Sequence, residues 1–196
     1  MLDLDFSDFC IERDKAIVID AVKEAGSIAM KYFNKQFKTW NKGIDNPVTE
    51  VDHEINNFLQ NKLCIDRKDY GWLSEESTDN LARLNKKAVW IVDPIDGTRA
   101  FINKKPEFTI CVALAVDTLP IIGAVYNPAT NELYEAVKNQ GAKLNGKPIR
   151  VSNRANLNSA NLLASSKTFK SLYSDSLKQF KFINSIAYRM ALVASG

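Results

Sequence analysis

The stretch WIVDPIDGTRAF, Trp90 to Phe101, places Asp93 and Asp96 three positions apart at the end of an apolar run, followed at once by Gly97 and Thr98. A carboxylate at the end of a buried strand is costly unless it is paired or bound to a cation. Pro94 cannot continue a strand's hydrogen bonding, so the chain is expected to turn there and aim Asp96 at the same end of the sheet. Gly97 lets backbone approach a ligand closely. A short helix opening near Thr98 would point free N–H groups outward as an anion site. Carboxylate oxygens beside an anion site suit a magnesium–phosphate centre, since magnesium prefers oxygen ligands and shares them with substrate phosphate.

Two other stretches carry acids in similar settings. GWLSEES, Gly71 to Ser77, is a second short strand ending in acids, Glu75 and Glu76. NPVTEVD, Asn46 to Asp52, offers Thr49 and Asp52 near a helix start. Each has a bland alternative. D-P-x-D-G is good turn chemistry. Taken alone, SEES is most often a solvated loop or helix cap, and Asp52 alone reads as a cap or surface charge. The combination, in this order, favours a shared site at one sheet edge.

The elements that must hold these residues follow from periodicity. Ile17, Ala21, Ala25, Ile28, Ala29 and Tyr32 recur at helical spacing and predict a helix from about Asp8 to Phe33. Gly43 and Pro47 break the pattern. Val51, Ile55, Phe58, Leu59 and Leu63 resume it, with Thr49 or Glu50 near the N-terminus of a second helix. The period then changes. YGWLS, AVWIV, FTICVALAV, PIIGAVY and ELYEAV read as strands, separated by turn signals at Asp117 to Pro120, Asn127-Pro128, Asn139 to Gly141 and Asn145-Gly146. NLLASS is a further strand. The tail from Ser171 returns to helical spacing, with Ile186, Met190 and Val193 as its buried stripe. Helices followed by hairpin-linked strands make an α+β or layered αβ fold, read as a single domain over 1–196.

Composition narrows the classes. With 45% hydrophobic and 25% charged residues, the chain of 196 has ample material for a core. A net charge of +3 with scattered lysines gives no support to nucleic-acid binding. Cys10, Cys64 and Cys111 are an odd number without C-x-x-C spacing, which fits a reducing, cytoplasmic compartment better than a disulfide framework or zinc site. MLDLDFSDFCIERDK lacks the pattern of a secretory signal. The run Phe108 to Val116 is too short to span a bilayer. The one histidine, His53, is read as a surface helix residue.

With these pieces in order, the sequence resembles the inositol monophosphatase family of lithium-sensitive, magnesium-dependent phosphatases. WIVDPIDGT is similar to that family's first signature, SEES to its G/S-E-E-S element, and KGIDNPVTEVD to its K-x-x-x-D/N-x-V-T-x-x-D element. KPEFTICVALA, PIIGAVYNPATNELYEA and GAKLNGKPIRVS follow in the family's order. The resemblance implies an αβαβα sandwich. It implies that Glu75, Asp93 and the carbonyl of Ile95 bind a first magnesium, and that Asp93 and Asp96 share a second. Glu75 and Thr98 would orient the attacking water, with Asp52 supporting Thr98. The N–H groups of Gly97 and Thr98 would hold the phosphate, and lithium would inhibit. Metal-activated water makes a histidine base unnecessary.

Two departures matter. Nothing here matches the family's second signature, W-D-x-A-A/S/T-G, whose aspartate completes the second metal site. The chain resembles the first three-quarters of such an enzyme, C-terminally incomplete, and low or no activity is expected of it. Inositol-specific members read D-G-T-x-N-F, whereas this chain has DGTRAF. That pattern resembles branches acting on 3'(2'),5'-bisphosphate nucleotides or histidinol phosphate. Arg99 then meets an extra anionic group, or is a surface arginine. The leading expectation is hydrolysis of a small phosphorylated metabolite, inositol monophosphate or a bisphosphate nucleotide. Alternatives are a catalytically impaired binder or regulator and an unrelated structural domain. The resemblance further implies a homodimer, and a regulatory or nucleic-acid partner is conceivable because some bacterial members act in RNA-related regulation.

Overall fold

The computed structural model describes residues 10–155, 162–163, 180–181 and 183–196. Helix α1, Ile11–Tyr32, packs beside α2, Glu50–Cys64. Val18, Ala21, Val22, Ala25 and Ala29 of α1 and Val51, Ile55, Leu59 and Leu63 of α2 form the buried faces, at the spacing the sequence predicts. The segment before Ile11 that the first helix was expected to include lies outside the described residues, apart from Cys10.

Both helices cover one face of a seven-stranded sheet. Its strands run in chain order: β3 Gly71–Ser74, β4 Ala88–Asp96, β5 Thr109–Val116, β6 Leu119–Asn127, β7 Glu132–Val137, β8 Gly141–Leu144 and β9 Lys147–Ile149. Within this sheet only β3 and β4 pair in parallel; every later neighbour is antiparallel. The tight turns sit where sequence places them. Asp117 and Thr118 take positive φ between β5 and β6, as do Asn145 and Gly146 between β8 and β9. A smaller hairpin, β1 Thr39–Asn41 with β2 Pro47–Thr49, fills the stretch that broke the helical pattern. The sequence reading had no strands there.

Consecutive residues of β7 separate the two sides of the sheet. Leu133 joins the core under α1 and α2, while Tyr134 joins a second cluster with Ile183, Tyr188 and Ala191. Tyr188 and Ala191 belong to α4, Ile186–Ser195, so the layers are helix, sheet, helix. A two-stranded parallel sheet, β10 Leu162–Leu163 with β11 Phe180–Lys181, adds to the second side. This is the layered α+β fold expected.

Three expectations need correction. Strand β4 does not end at Asp93 or turn at Pro94; it runs on to Asp96 with a register shift. Phe180–Lys181 is strand rather than helix, with 171–179 outside the described residues. The stripe Ile186, Met190 and Val193 is exposed, at 61%, 69% and 60%. Nearly every residue of α4 is apolar, so periodicity cannot select its inner face. Capping by Ser185 and the Tyr188 hydroxyl bonded to Glu132 turn Tyr188 and Ala191 inward instead.

Candidate active site

Because β3 and β4 run parallel with Ser74 opposite Val92, their C-terminal ends meet at one edge. Glu75 and Glu76 therefore emerge beside Asp93. The backbone amide of Glu75 donates to the Val92 carbonyl at 3.3 Å, which fixes that junction. The serines of SEES hold the loop from below. Ser74 Oγ donates to Asn56 Oδ1 at 2.6 Å, and Asn56 Nδ2 donates to Ser77 Oγ at 3.0 Å. Asn56 lies on α2, so helix and strand end are clamped together.

The bulge in β4 decides where Asp96 points. Asp93 pairs with Cys111 and Asp96 with Thr109, so three steps on β4 face two on β5. In a regular strand, positions three apart point to opposite faces. The one extra residue cancels that and returns Asp96 to the side of Asp93. Pro94, without an N–H to give the ladder, sits inside the bulge.

Gly97 follows at φ +95°, a left-handed conformation. A Cβ there would lie 2.9 Å from the Glu107 carbonyl oxygen and 3.2 Å from the Ser185 backbone nitrogen. Strain and close approach act together. We expect Gly97→Ala to cost about 1–3 kcal/mol, read as a fall in thermal midpoint of about 2–4 °C per kcal/mol. An unchanged midpoint would contradict this placement.

After Gly97 the chain enters α3, Thr98–Ile102. Phe101 anchors it, with its ring 4.9 Å from Phe108, 5.2 Å from Phe37 and 5.9 Å from Phe33. Thr98 Oγ1 is thereby held 3.3 Å from Asp52 Oδ1 and 3.0 Å from the Ile95 carbonyl oxygen. Asp52 reaches this point from the first turn of α2 through a capping box. Its Oδ2 accepts from Thr49 N at 2.8 Å and Thr49 Oγ1 at 2.5 Å, while the Asp52 amide donates back to Thr49 Oγ1. The bland reading of Asp52 as a cap is thus correct, and its other oxygen still reaches Thr98.

The electrostatics are those of crowded acids. Burial pushes Asp93 up to about 8, with Glu75, Asp96, Asp52 and Glu76 adding to it. Burial also raises Asp52 to about 6, against the hydrogen bonds from Thr49. Lys42, in the β1–β2 hairpin, answers part of this charge. Its Nζ lies 2.6 Å from Glu76 Oε1 and 3.5 Å from Glu75 Oε1. Burial disfavours its ammonium, but Glu76 and Glu75 outweigh burial and raise its pKa.

A cleft of about 260 Å³ opens over these elements. Its walls include Asn46, Glu75, Asp96, Thr98, Arg99 and Asn184. Arg99 is exposed at its rim, and Nη2 donates to the Asp45 carbonyl, tying α3 to the hairpin. His53, expected at the surface, is half-buried and stacked on Trp40 at 5.4 Å, and it is not among the residues that line this cleft.

Whether the residues fit a metal can be judged from their donors. Among the described residues, no three His, Cys, Asp or Glu side chains stand close enough to close around one ion. Some of the acids are engaged elsewhere: Glu76 with Lys42, and Asp96 with Ser185 Oγ and the Ala187 amide. Yet Glu76 Oε2 is buried without a hydrogen-bond partner, and Asp93 is raised by burial first and by the neighbouring acids Glu75, Asp96, Asp52 and Glu76 in addition. An all-oxygen set short of positive charge fits a hard divalent cation.

The sequence model of the inositol monophosphatase family matches residues 12–196. The chain belongs to that family. It is 34% identical to inositol monophosphatase 3 of Solanum lycopersicum over 149 residues, covering 75% of this chain and 56% of the relative. It is 32% identical to a histidinol-phosphatase of Chlorobaculum parvum over 140 residues, covering 71% of this chain and 53% of that one. A solved inositol monophosphatase structure from Thermotoga maritima superposes with a TM-score of 0.83 at 26% identity, over 92% of this chain and 72% of that one. The chain spans about half the length of these two curated relatives.

Of the residues that the family resemblance singles out, Glu75, Ile95, Asp96, Gly97, Thr98 and Arg99 line one cleft. Asp52 joins through Thr98, and Asp93 through its interaction with Glu75 and Asp96. Residue-by-residue reading missed Lys42 and Ser185. Lys42 opens the quoted KGIDNPVTEVD element, and Ser185 precedes an apolar run as an N-cap does. Both signals were present, but neither indicates a partner.

Proposed function

We propose that this protein hydrolyses small phosphate monoesters with magnesium. The observation supporting it best is the parallel β3–β4 pair with its bulge, which gathers Glu75, Asp93 and Asp96 beside Thr98 and Asp52. Glu75, Asp93, Asp96 and the Ile95 carbonyl would hold the metal. Bound there, magnesium supplies positive charge against the phosphoryl oxygens and makes water a nucleophile near neutral pH.

The chain's own residues do the rest. Asp52 Oδ2 is satisfied by Thr49, so Oδ1 is left to accept the Thr98 hydrogen bond, in place of the Ile95 carbonyl at 3.0 Å if that carbonyl holds the metal. Thr98 Oγ1 then presents a lone pair toward the cleft, and with Glu75 it orients the attacking water. The amides of Gly97 and Thr98 face the phosphate. The small cleft favours a sugar- or nucleoside-sized ester over a macromolecule. Arg99 at the rim is placed to meet a second anionic group, which favours a bisphosphate nucleotide over inositol monophosphate; histidinol phosphate is the third substrate to test. Three unpaired thiols suit a cytoplasmic setting. We assign it a dimeric state on family grounds alone.

A second reading, binding without turnover, has its own support: Lys42 already pairs with Glu76 and reaches Glu75, and among the described residues no three His, Cys, Asp or Glu side chains converge. Among the described residues no helix is long and apolar enough to cross a membrane. Phosphate release from adenosine 3',5'-bisphosphate, inositol 1-phosphate and histidinol phosphate, with and without magnesium and lithium, separates the two. The expected result is magnesium-dependent, lithium-inhibited release. Magnesium binding without release would establish the second reading. Release indifferent to magnesium would overturn both.

A further inference from the structure

Ser185 is fully buried, and its hydroxyl touches a carboxylate 89 positions away in sequence. Ser185 Oγ donates to Asp96 Oδ2 at 2.7 Å. A serine hydroxyl has one proton and two lone pairs. Here the proton goes to Asp96. One lone pair accepts the Tyr188 amide at 2.9 Å. The other faces Thr109 Oγ1 at 3.0 Å, and since Ser185 has no second proton, Thr109 must be the donor. Every valence is used, so the hydroxyl cannot rotate without losing a bond. The Ala187 amide donates to the same Asp96 oxygen at 2.6 Å.

Two donors from the start of α4 thus converge on Oδ2 of Asp96, a residue that lines the cleft. They leave Oδ1 as the oxygen available to a cation. We propose that Ser185 is a positioning residue for the metal centre: it locks the Asp96 carboxylate so that Oδ1 faces a divalent cation, with Thr109 fixing Ser185 in turn. This rests on the functional reading above and extends it to α4, which the sequence presents as a packing helix only. Donors to a ligating carboxylate typically alter metal affinity by about 10–100-fold.

A purely structural role is the competing account, because Ser185 also caps α4. Loss of a cap lowers the thermal midpoint and leaves the metal affinity of the folded protein alone. The test is magnesium affinity by titration calorimetry on the full chain and three variants. Ser185→Ala is expected to weaken magnesium by about 10–100-fold. Thr109→Val, which keeps shape and leaves the cap in place, shifts affinity the same way by less. Ser185→Thr keeps the hydroxyl and binds like the parent. Unchanged affinity in Ser185→Ala, with only a lower midpoint, overturns the proposal. If Ser185→Ala does not fold, unchanged affinity in Thr109→Val overturns it. A parent that binds no magnesium removes the functional reading and this inference together, whereas equal binding by parent and variants removes this inference alone.

Discussion

Asp93→Asn is expected to abolish magnesium-dependent phosphate release and, in the same molecule, to make the metal-free protein more stable at pH 8. The two effects have one cause. Asp93 sits among Glu75, Asp96, Asp52 and Glu76, mostly out of water, and its pKa is pushed up to about 8. Without a cation the ionised form is held against burial and against like charge. Asparagine has nearly the shape of the protonated acid and no charge, so it removes that cost. It also removes one of the carboxylates that would hold the metal. Metal charge stabilisation is worth several kcal/mol, and each ~1.4 kcal/mol is tenfold in rate. A loss of at least about a thousandfold relative to the parent at saturating magnesium follows. A variant that kept a tenth of the parent rate would remove Asp93 from the centre. If the parent itself binds without turning over, loss of magnesium binding in the variant is the equivalent readout.

How much of this was legible in the sequence depends on the distance between partners. The capping box of α2 is local: Thr49 and Asp52 are three apart, and an apolar helical period follows them. It could be read directly. So could the strands, because ELYEAV and FTICVALAV combine β-branched and aromatic residues with turn residues at their ends. The acids at the ends of β3 and β4 were visible as acids. Their meeting depends on parallel pairing across the Leu81–Asn85 connection, which a pattern of alternation cannot reveal.

The β4 bulge marks the limit of local reasoning. Proline's missing N–H correctly announced a break in the ladder, but a break can be a turn or an inserted residue. The choice is made by β5, through Cys111 and Thr109. Lys42 and Ser185 were hidden for the same reason. Their partners lie 34 and 89 positions away. The exposed face of α4 is a different failure: a helix apolar on all sides contains no period to read, and a polar contact at its first turn sets its rotation.

Magnesium should offset much of the fall in stability with pH that the metal-free protein shows. Take the metal-free protein first. An unfolded aspartate ionises near 3.8, whereas Asp93 in the fold holds its proton to about 8. Between these values the native state binds a proton that the unfolded state has released. Stability therefore falls as pH rises through this window, at up to about 1.4 kcal/mol per pH unit from one such group. Asp52, raised to about 6, acts in the same direction over the lower half. Asp79, lowered by Arg83, acts oppositely but below pH 4, and the raised Lys42 matters only in strong alkali. The span from pH 5 to 8.5 thus belongs to the buried acids of the site. With magnesium the ionised acids gain their counter-charge, and the metal competes with the proton better as pH rises. At a hundredfold excess over the dissociation constant, binding adds about 2.7 kcal/mol to the native state. Thermal midpoints at pH 5 and pH 8.5, with and without magnesium, check this for parent and Asp93→Asn. The parent should lose stability with pH when metal-free and regain a large part of it with magnesium, the increment being small at pH 5 and large at pH 8.5. The variant should show a weaker decline and little response to magnesium. A metal-free parent that gained stability over the variant from pH 5 to 8.5 would mean that Asp93 is ionised comfortably in the fold, and that the crowding of acids at the end of β4 is not what makes this site ready for a cation.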